Sequence, residues 1–317
     1  MNVFVAGAGY VGLELCRQLA ERGHRVWAAR RHPPPLSDGV TPWPCDLADP
    51  ALEVPEGVTH LAFTASPDSS DPASYERTYV TALERTLAAF DRAAARGGAR
   101  LERMVLVSST SVFAAPPSPT DDGVIVVDET SPVRSDGTAA HIMAGESLVR
   151  ARGGTVLRLA GIYGPDRTRM VRMVRDGTAR ISADRPIGNR IHRDDCAGAI
   201  AHLLTHPEPE ALYVGVDHAP VELAEVYRFL AGSLGLAPPA TSEEPDARAR
   251  DALARGGTAR KRCLNARLVA SGYVFRFPTY REGYAAVLGE DGTKTSDTGS
   301  LGTREPPGPA SATHDRG

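Results

Sequence analysis

Long apolar runs are missing from this chain, and so are clustered cysteines. No segment reaches the roughly 20 residues that a membrane span needs, and residues 1–6 read as a strand rather than a secretory signal. Cys16, Cys45, Cys196 and Cys263 stand far apart, without the short spacings that hold a metal ion. Cys16 and Cys196 fall in apolar helical patterns, so the four are expected to be reduced thiols of a cytoplasmic protein with no metal site. An excess of either charge is also lacking. With 36 Lys and Arg against 39 Asp and Glu, the formal net charge of -3 gives no basis for binding nucleic acid or a membrane surface. The basic residues are mostly arginine and alanine is abundant, a mark of genome composition more than of function. At 317 residues, the chain is long enough for one large α/β domain with an attached lobe.

What is present begins at the first residues. An apolar run, Asn2-Val3-Phe4-Val5-Ala6, leads directly into Gly7-Ala8-Gly9-Tyr10-Val11-Gly12, which reads as strand, glycine turn and helix start. Gly7 allows the tight turn, Gly9 lets the backbone approach a pyrophosphate, and Gly12 lets the helix lie close to the strand. The loop Gly7 to Gly12, with Tyr10 and Val11 inside it, is therefore expected to hold a dinucleotide on a helix N-terminus. The helix Tyr10 to Glu21 carries Val11, Leu15, Cys16 and Leu19 at helical spacing and stops at Gly23; a second strand, Arg25 to Ala29, follows. Dinucleotide sites selective for NAD place an acidic residue at the end of that strand. Here Arg30 and Arg31 stand there, followed by His32, and a guanidinium pair suits a ribose 2′-phosphate by charge and by fork geometry. NADP(H) is thus preferred over NAD(H), with ordinary surface arginines as the alternative reading.

Farther on, strands and helices alternate as a doubly wound parallel sheet requires. Strands are expected over Val40 to Leu47, Val58 to Thr64, Met104 to Val107 and Thr155 to Leu159. Helices are expected over Ala73 to Arg96 and Ala139 to Ala151. The first of these helices puts Tyr75, Tyr79, Leu83, Leu87 and Phe90 on one stripe, which suits packing on the sheet or, in a homodimer, on a second subunit. A nucleotide-binding domain over 1–165, with later segments returning to it, is followed by a smaller C-terminal substrate lobe over 166–288. From 289 to 317 apolar periodicity is lost and a disordered tail is expected.

These residues resemble the extended short-chain dehydrogenase/reductase superfamily, including its atypical branch of NAD-dependent epimerase/dehydratase-like proteins. The resemblance runs over residues 1–288 and rests on ordered landmarks. They are Gly7/Gly9/Gly12, Cys45-Asp46-Leu47, Ala62-Phe63-Thr64-Ala65, Ser108 to Phe113, Arg158 to Pro165 and Ile191-His192-Arg193-Asp194-Asp195. It implies a Rossmann fold, a small-molecule substrate, an adenine contact at Asp46 and a cofactor border at the turn from Ala62 to Ser66, which contains Ala65.

The same resemblance exposes a departure. The family uses a Ser or Thr at the end of the fifth strand and a Tyr and Lys four residues apart on the next helix. Ser109 matches the first, with Thr110 beside it, but the Tyr position holds Thr138 and the Lys position Ile142. A threonine hydroxyl cannot exchange a proton near neutral pH, and an isoleucine cannot tune it. Three readings remain open. His141 or Tyr163 replaces the acid/base; or the substrate or a water supplies the proton while Ser109, Thr110 and Thr138 orient a carbonyl; or the cofactor is structural, and the pocket runs a non-redox lyase, isomerase or cyclase reaction or binds without turnover. On the substrate side, Arg190, His192 and Arg193 lie in the segment that resembles the family's closing loop, with the arginines as anchors for a carboxylate or phosphate.

Overall fold

The computed structural model describes residues 1–114, 123–244 and 260–296, with 290–296 described by backbone alone. Seven parallel strands make the central sheet: β1 (Asn2–Ala6), β2 (Arg25–Arg30), β3 (Val40–Pro44), β4 (His60–Phe63), β5 (Arg103–Ser109), β6 (Thr155–Leu159) and β7 (Leu212–Gly215). Across the sheet they run β7-β6-β5-β4-β1-β2-β3, so the strand order reverses between β1 and β4. At such a switch point the loops leave toward opposite faces and open a crevice at the carboxyl ends of the strands. The doubly wound Rossmann sheet read from the sequence is the observed fold. Its edge strand β3 stops at Pro44, short of the expected Leu47; Pro42 and Pro44 offer no N–H to a further strand.

Helices cover both faces. On one, α1 (Tyr10–Glu21) buries Val11, Leu15, Cys16 and Leu19 in a cluster with β1, β2 and a helix from the second half of the chain. On the other face, the long helix expected over 73–96 is interrupted. It comprises α2 (Pro72–Glu76), capped by the Asp71 carboxylate on the Ser74 N–H, then a π turn (Arg77–Ala82), then α3 (Leu83–Ala95). The apolar stripe of α3, including Leu83, Leu87 and Phe90, packs on the chain's own sheet. Beside it lies α4 (Gly137–Arg150), whose fully buried Glu146 accepts hydrogen bonds from Ser108 Oγ at 2.6 Å and from Arg158 Nε and Nη2 at 2.9 and 2.7 Å. The carboxylate of that ion pair is also met by a hydroxyl, while Arg158 Nη1 has no hydrogen-bond partner among the described residues. It ties α4 to the ends of β5 and β6.

After Pro165 the chain enters the smaller lobe. Here α5 (Arg169–Arg175), α7 (Leu223–Ser233) and the closing helix α9 (Tyr280–Ser296) gather around Tyr163, Met170, Val226, Leu230, Tyr280 and Tyr284. Between them α6 (Arg193–Thr205) goes back to pack on α1, and β7 joins the sheet. The short helix α8 (Ala266–Ala270) precedes α9. Helical backbone continues past Gly289 to Ser296, which corrects the start of the expected tail; 297–317 lie outside the described residues.

Candidate active site

The three glycines of the first loop are needed for different reasons. Gly7 has φ +84°, and a Cβ on it would collide with the Ala65 backbone. That closeness comes from the lock between β1 and β4, where Thr64 donates its N–H to Ala6 O at 2.8 Å and its Oγ1–H to Gly7 O at 2.9 Å. On Gly12 a Cβ would meet Thr64 Oγ1 at 2.7 Å and Gly7 O at 2.9 Å. Gly9 is unlike both. Its φ of -93° lies outside the left-handed region, and among the described residues a Cβ there would touch nothing nearer than Gly7 O at 3.8 Å. Among the described residues, then, no neighbour crowds a side chain at 9. It borders open space in front of α1, whose N-terminus carries no side-chain cap, so the first-turn N–H groups suit an anion there. A pyrophosphate is the group that fits this cradle.

From that point a cleft runs outward over β2 and β3. Its lining includes Gly7, Gly9, Arg30, Arg31, Asp46 and Ala65, six residues expected at a cofactor from sequence. Arg30 lies across the glycine loop, donating from Nη1 to Ala8 O at 3.1 Å. Arg31 forks onto both oxygens of Asp68 at 2.8 Å, an exposed pair. Asp46 caps its own turn through the Ala48 N–H and meets Arg77 Nη2 at 2.5 Å. Sequence reading missed Arg77, Thr78 and Ser74. Ser74 stands in α2 and Arg77 and Thr78 in the π turn, a local irregularity that recurs at functional sites and leaves no periodic signal. The remaining three expected cofactor residues have other tasks: Gly12 packs against Thr64. Val11 is buried in the core. Tyr10 donates to Pro165 O at 2.5 Å and holds its ring between the Arg167 and Arg193 guanidinium groups, 4.3 and 5.4 Å away, clamping the glycine loop to the start of the lobe.

At the other side of the switch point, Ser109 ends β5. Its hydroxyl oxygen accepts the Ser111 N–H at 3.1 Å, which orients the side chain and leaves the hydroxyl proton to donate. Thr138 and His141 are half-buried on α4. Two expectations change here. Thr110 is buried: its carbonyl takes Lys261 Nζ at 2.7 Å and its hydroxyl bonds the Cys263 thiol, so it faces inward. Tyr163 lies inside the lobe on the Tyr284 ring (4.5 Å) with its hydroxyl buried against Gly283, and burial raises its pKa. At the position where a relay lysine would stand, Ile142 is buried with Tyr79, Val112 and Ala139.

Of the expected substrate anchors, Arg190 and His192 are buried and Arg193 is half-buried in ion pairs. Arg193 bonds Asp194 at 2.9 Å and lies 3.7 Å from Glu14, and Asp195, fully buried, takes the N–H groups of Arg276 and Phe277 and so fastens the closing segment. Arg190, His192 and Asp217 form a buried cluster behind Tyr163. Among the described residues, Arg190 Nη1 and Nη2, His192 Nε2 and Asp217 Oδ2 have no hydrogen-bond partner. Burial pushes Asp217 up to about 7, with Arg190 opposing, and holds His192 down at about 4, with Asp194 opposing. From about pH 4 to 7 the folded Asp217 keeps a proton that the unfolded chain has lost, so its contribution to stability falls as pH rises through that window. His192 acts in the opposite sense, losing stability as pH drops from about 6.5 toward 4. We expect Asp217→Asn to exceed wild type by about 1–3 kcal/mol at pH 8 and to match it near pH 4, read from urea midpoints. Equal midpoint differences at both pH values would show that Asp217 is already ionised in the folded state.

A doubly wound sheet with an anion-ready helix at its switch point defines a dinucleotide-binding protein. Residues 3–215 match the model of the NAD-dependent epimerase/dehydratase family, and the chain belongs to that family as an epimerase/dehydratase-like enzyme. Among solved structures it is 31% identical to a protein from Methylobacillus flagellatus, described provisionally as an NAD-dependent epimerase/dehydratase, covering 92% of this chain and 98% of that one with a TM-score of 0.70. A human epimerase-family protein solved with NADPH is 22% identical, with coverage of 90% and 99% and a TM-score of 0.70. The UDP-glucose 4-epimerase of Thermus thermophilus, solved with NAD, is 20% identical, with coverage of 91% and 98% and a TM-score of 0.68. The last two support the fold. A search of curated proteins returns no match. Among the described residues no helix is long and apolar enough to cross a membrane, and no three His, Cys, Asp or Glu gather as a metal group.

Proposed function

We propose that this protein is an NADP(H)-dependent oxidoreductase or epimerase-like enzyme acting on a small carbonyl or hydroxyl compound, in which the usual Tyr-Lys proton relay has been replaced. The observation that carries it is the conjunction at one cleft of Gly9, where no neighbour among the described residues would crowd a side chain, with Arg30 and Arg31 at the end of β2. The bound dinucleotide would supply hydride chemistry. The chain's part is to hold the phosphates on α1 and the 2′-phosphate on the arginines, and to present the Ser109 hydroxyl to a substrate oxygen at the end of β5. His141, near Thr138 on α4, is the side chain there whose chemistry suits proton exchange. Relatives of this fold have been solved with NADPH and with NAD, so the choice falls to the arginines.

Asp68 does not prevent it. An exposed Arg–carboxylate pair such as Arg31–Asp68 is worth at most about 1 kcal/mol, less than a charge-assisted bond from arginine to phosphate. Calorimetric titration of NADP+ and NAD+ should show tighter binding of NADP+. Arg30→Ala/Arg31→Ala should lower NADP+ affinity about 10- to 100-fold while changing that for NAD+ little. Equal affinity of the wild type for both nucleotides would sink the NADP assignment.

A further inference from the structure

Of the 36 basic side chains, two are lysines, Lys261 and Lys294, and Lys294 stands near the far end of α9. Apart from the terminal amine, Lys261 is thus the sole ammonium group in residues 1–293 of a chain whose basic side chains are otherwise guanidinium. Its placement is specific. The strand Lys261–Cys263 pairs in parallel with Ile125–Val127, and Asn189 grips it from the side, donating to Lys261 O and accepting from the Cys263 N–H, both at 2.7 Å. From this strand the side chain extends to the Thr110 carbonyl, with Nζ at 2.7 Å from the oxygen and 5.6 Å from the Phe113 ring centre. Thr110 follows Ser109 directly. A compact, strongly hydrated point charge is therefore brought from the C-terminal segment to the ligand edge of the sheet, one peptide from the polar end of β5.

We propose that Lys261 is a positioning residue of the catalytic cleft: through the Thr110 carbonyl it fixes the turn that presents Ser109, and it places positive charge beside the nicotinamide half of the cofactor. The proposal rests on the NADP(H) reading above, because the adenosine half occupies the cleft over β2 and β3 and the other half then lies toward the ends of β4 and β5. An oxidised nicotinamide ring carries a positive charge and a reduced one does not. A nearby ammonium therefore favours the reduced form, and by linkage its own pKa is lower in the NADP+ complex than in the NADPH complex.

The two-lysine composition makes this measurable in the intact chain. Reductive methylation with carbon-13 labels Lys261, Lys294 and the terminal amine, and each signal can be titrated by NMR with saturating NADP+ or NADPH. We expect the Lys261 pKa to be lower with NADP+ by about half to one unit, equivalent to a three- to tenfold ratio of affinities, and Lys294 to be the same in both. Lys261→Met should shift the Kd ratio of the two nucleotides toward NADP+ by that factor, and Lys261→Arg should keep the wild-type ratio. If both nucleotides bind and the Lys261 pKa is the same in each complex, Lys261 is a structural strap and the proposal is wrong. If neither nucleotide binds, the cofactor reading itself fails and this proposal falls with it. Should Lys261→Met not fold, the wild-type titration decides alone.

Discussion

Gly9→Val is expected to abolish dinucleotide binding in a protein that remains folded. The reason lies in the difference among the three loop glycines. Gly7 and Gly12 are closed in by Ala65, Thr64 and the Gly7 carbonyl, so a side chain at either must move backbone. At Gly9 a Cβ meets no atom closer than 3.8 Å, and the added methyls extend into the space in front of α1. A pyrophosphate there loses at least two N–H contacts to a charged group, each worth about 1.5–3 kcal/mol, so affinity falls by more than about a hundredfold. The cost to folding is that of a poor N-cap residue, about 1 kcal/mol. Gly7→Ala is the matched control, because its φ of +84° and its closeness to Ala65 convert the substitution into lost stability. Circular dichroism and calorimetry on the two variants separate the effects. Native-like binding in folded Gly9→Val would place the phosphates elsewhere.

The cofactor half of the site could be read in the sequence because its signals are local. A strand, a glycine turn and a helix follow one another within residues 2–21, and Arg30 and Arg31 sit at the end of the next strand. What stayed hidden depends on contacts between distant segments. Arg77 enters the cleft through a π turn inside a stretch whose apolar stripe reads as continuous helix. Lys261 reaches Thr110 across 151 residues of sequence. The arginines near His192 suggested exposed anchors, since their charge is visible in sequence and their burial is not. In the fold, Arg193 is held by Asp194 and Arg190 is buried beside Tyr280. Tyr163 was open as an acid/base for the same reason: its stacking on Tyr284 is set by how α9 closes the lobe.

Ser109→Ala is expected to lower turnover by about a hundredfold or more without weakening NADP(H) binding. The hydroxyl stands at the carboxyl end of β5, one strand from the switch point, and its oxygen accepts the Ser111 N–H, which leaves its proton free to donate. A donor held in place before the reaction stabilises charge developing on a substrate oxygen, and removing one such donor costs roughly 2.7–4 kcal/mol of barrier. The ground state gains less from it, so the loss should fall on kcat rather than on KM. The assay follows nicotinamide absorbance with whichever small aldehyde, ketone or nucleotide sugar the wild type converts, and calorimetry with NADP+ checks that the cofactor site is intact. His141→Ala reports on the proton: an equal fall in turnover with a flattened pH profile makes His141 the donor, whereas unchanged turnover leaves that task to the substrate or a water. Thr138→Tyr with Ile142→Lys examines the lost relay. It should bring ordinary carbonyl reductase activity at some cost in stability, since the new ammonium enters the buried cluster of Tyr79, Val112 and Ala139. If Ser109→Ala left turnover untouched, the end of β5 would not be where the substrate oxygen is held, and the chemistry would have to be sought on the lobe side of the cleft.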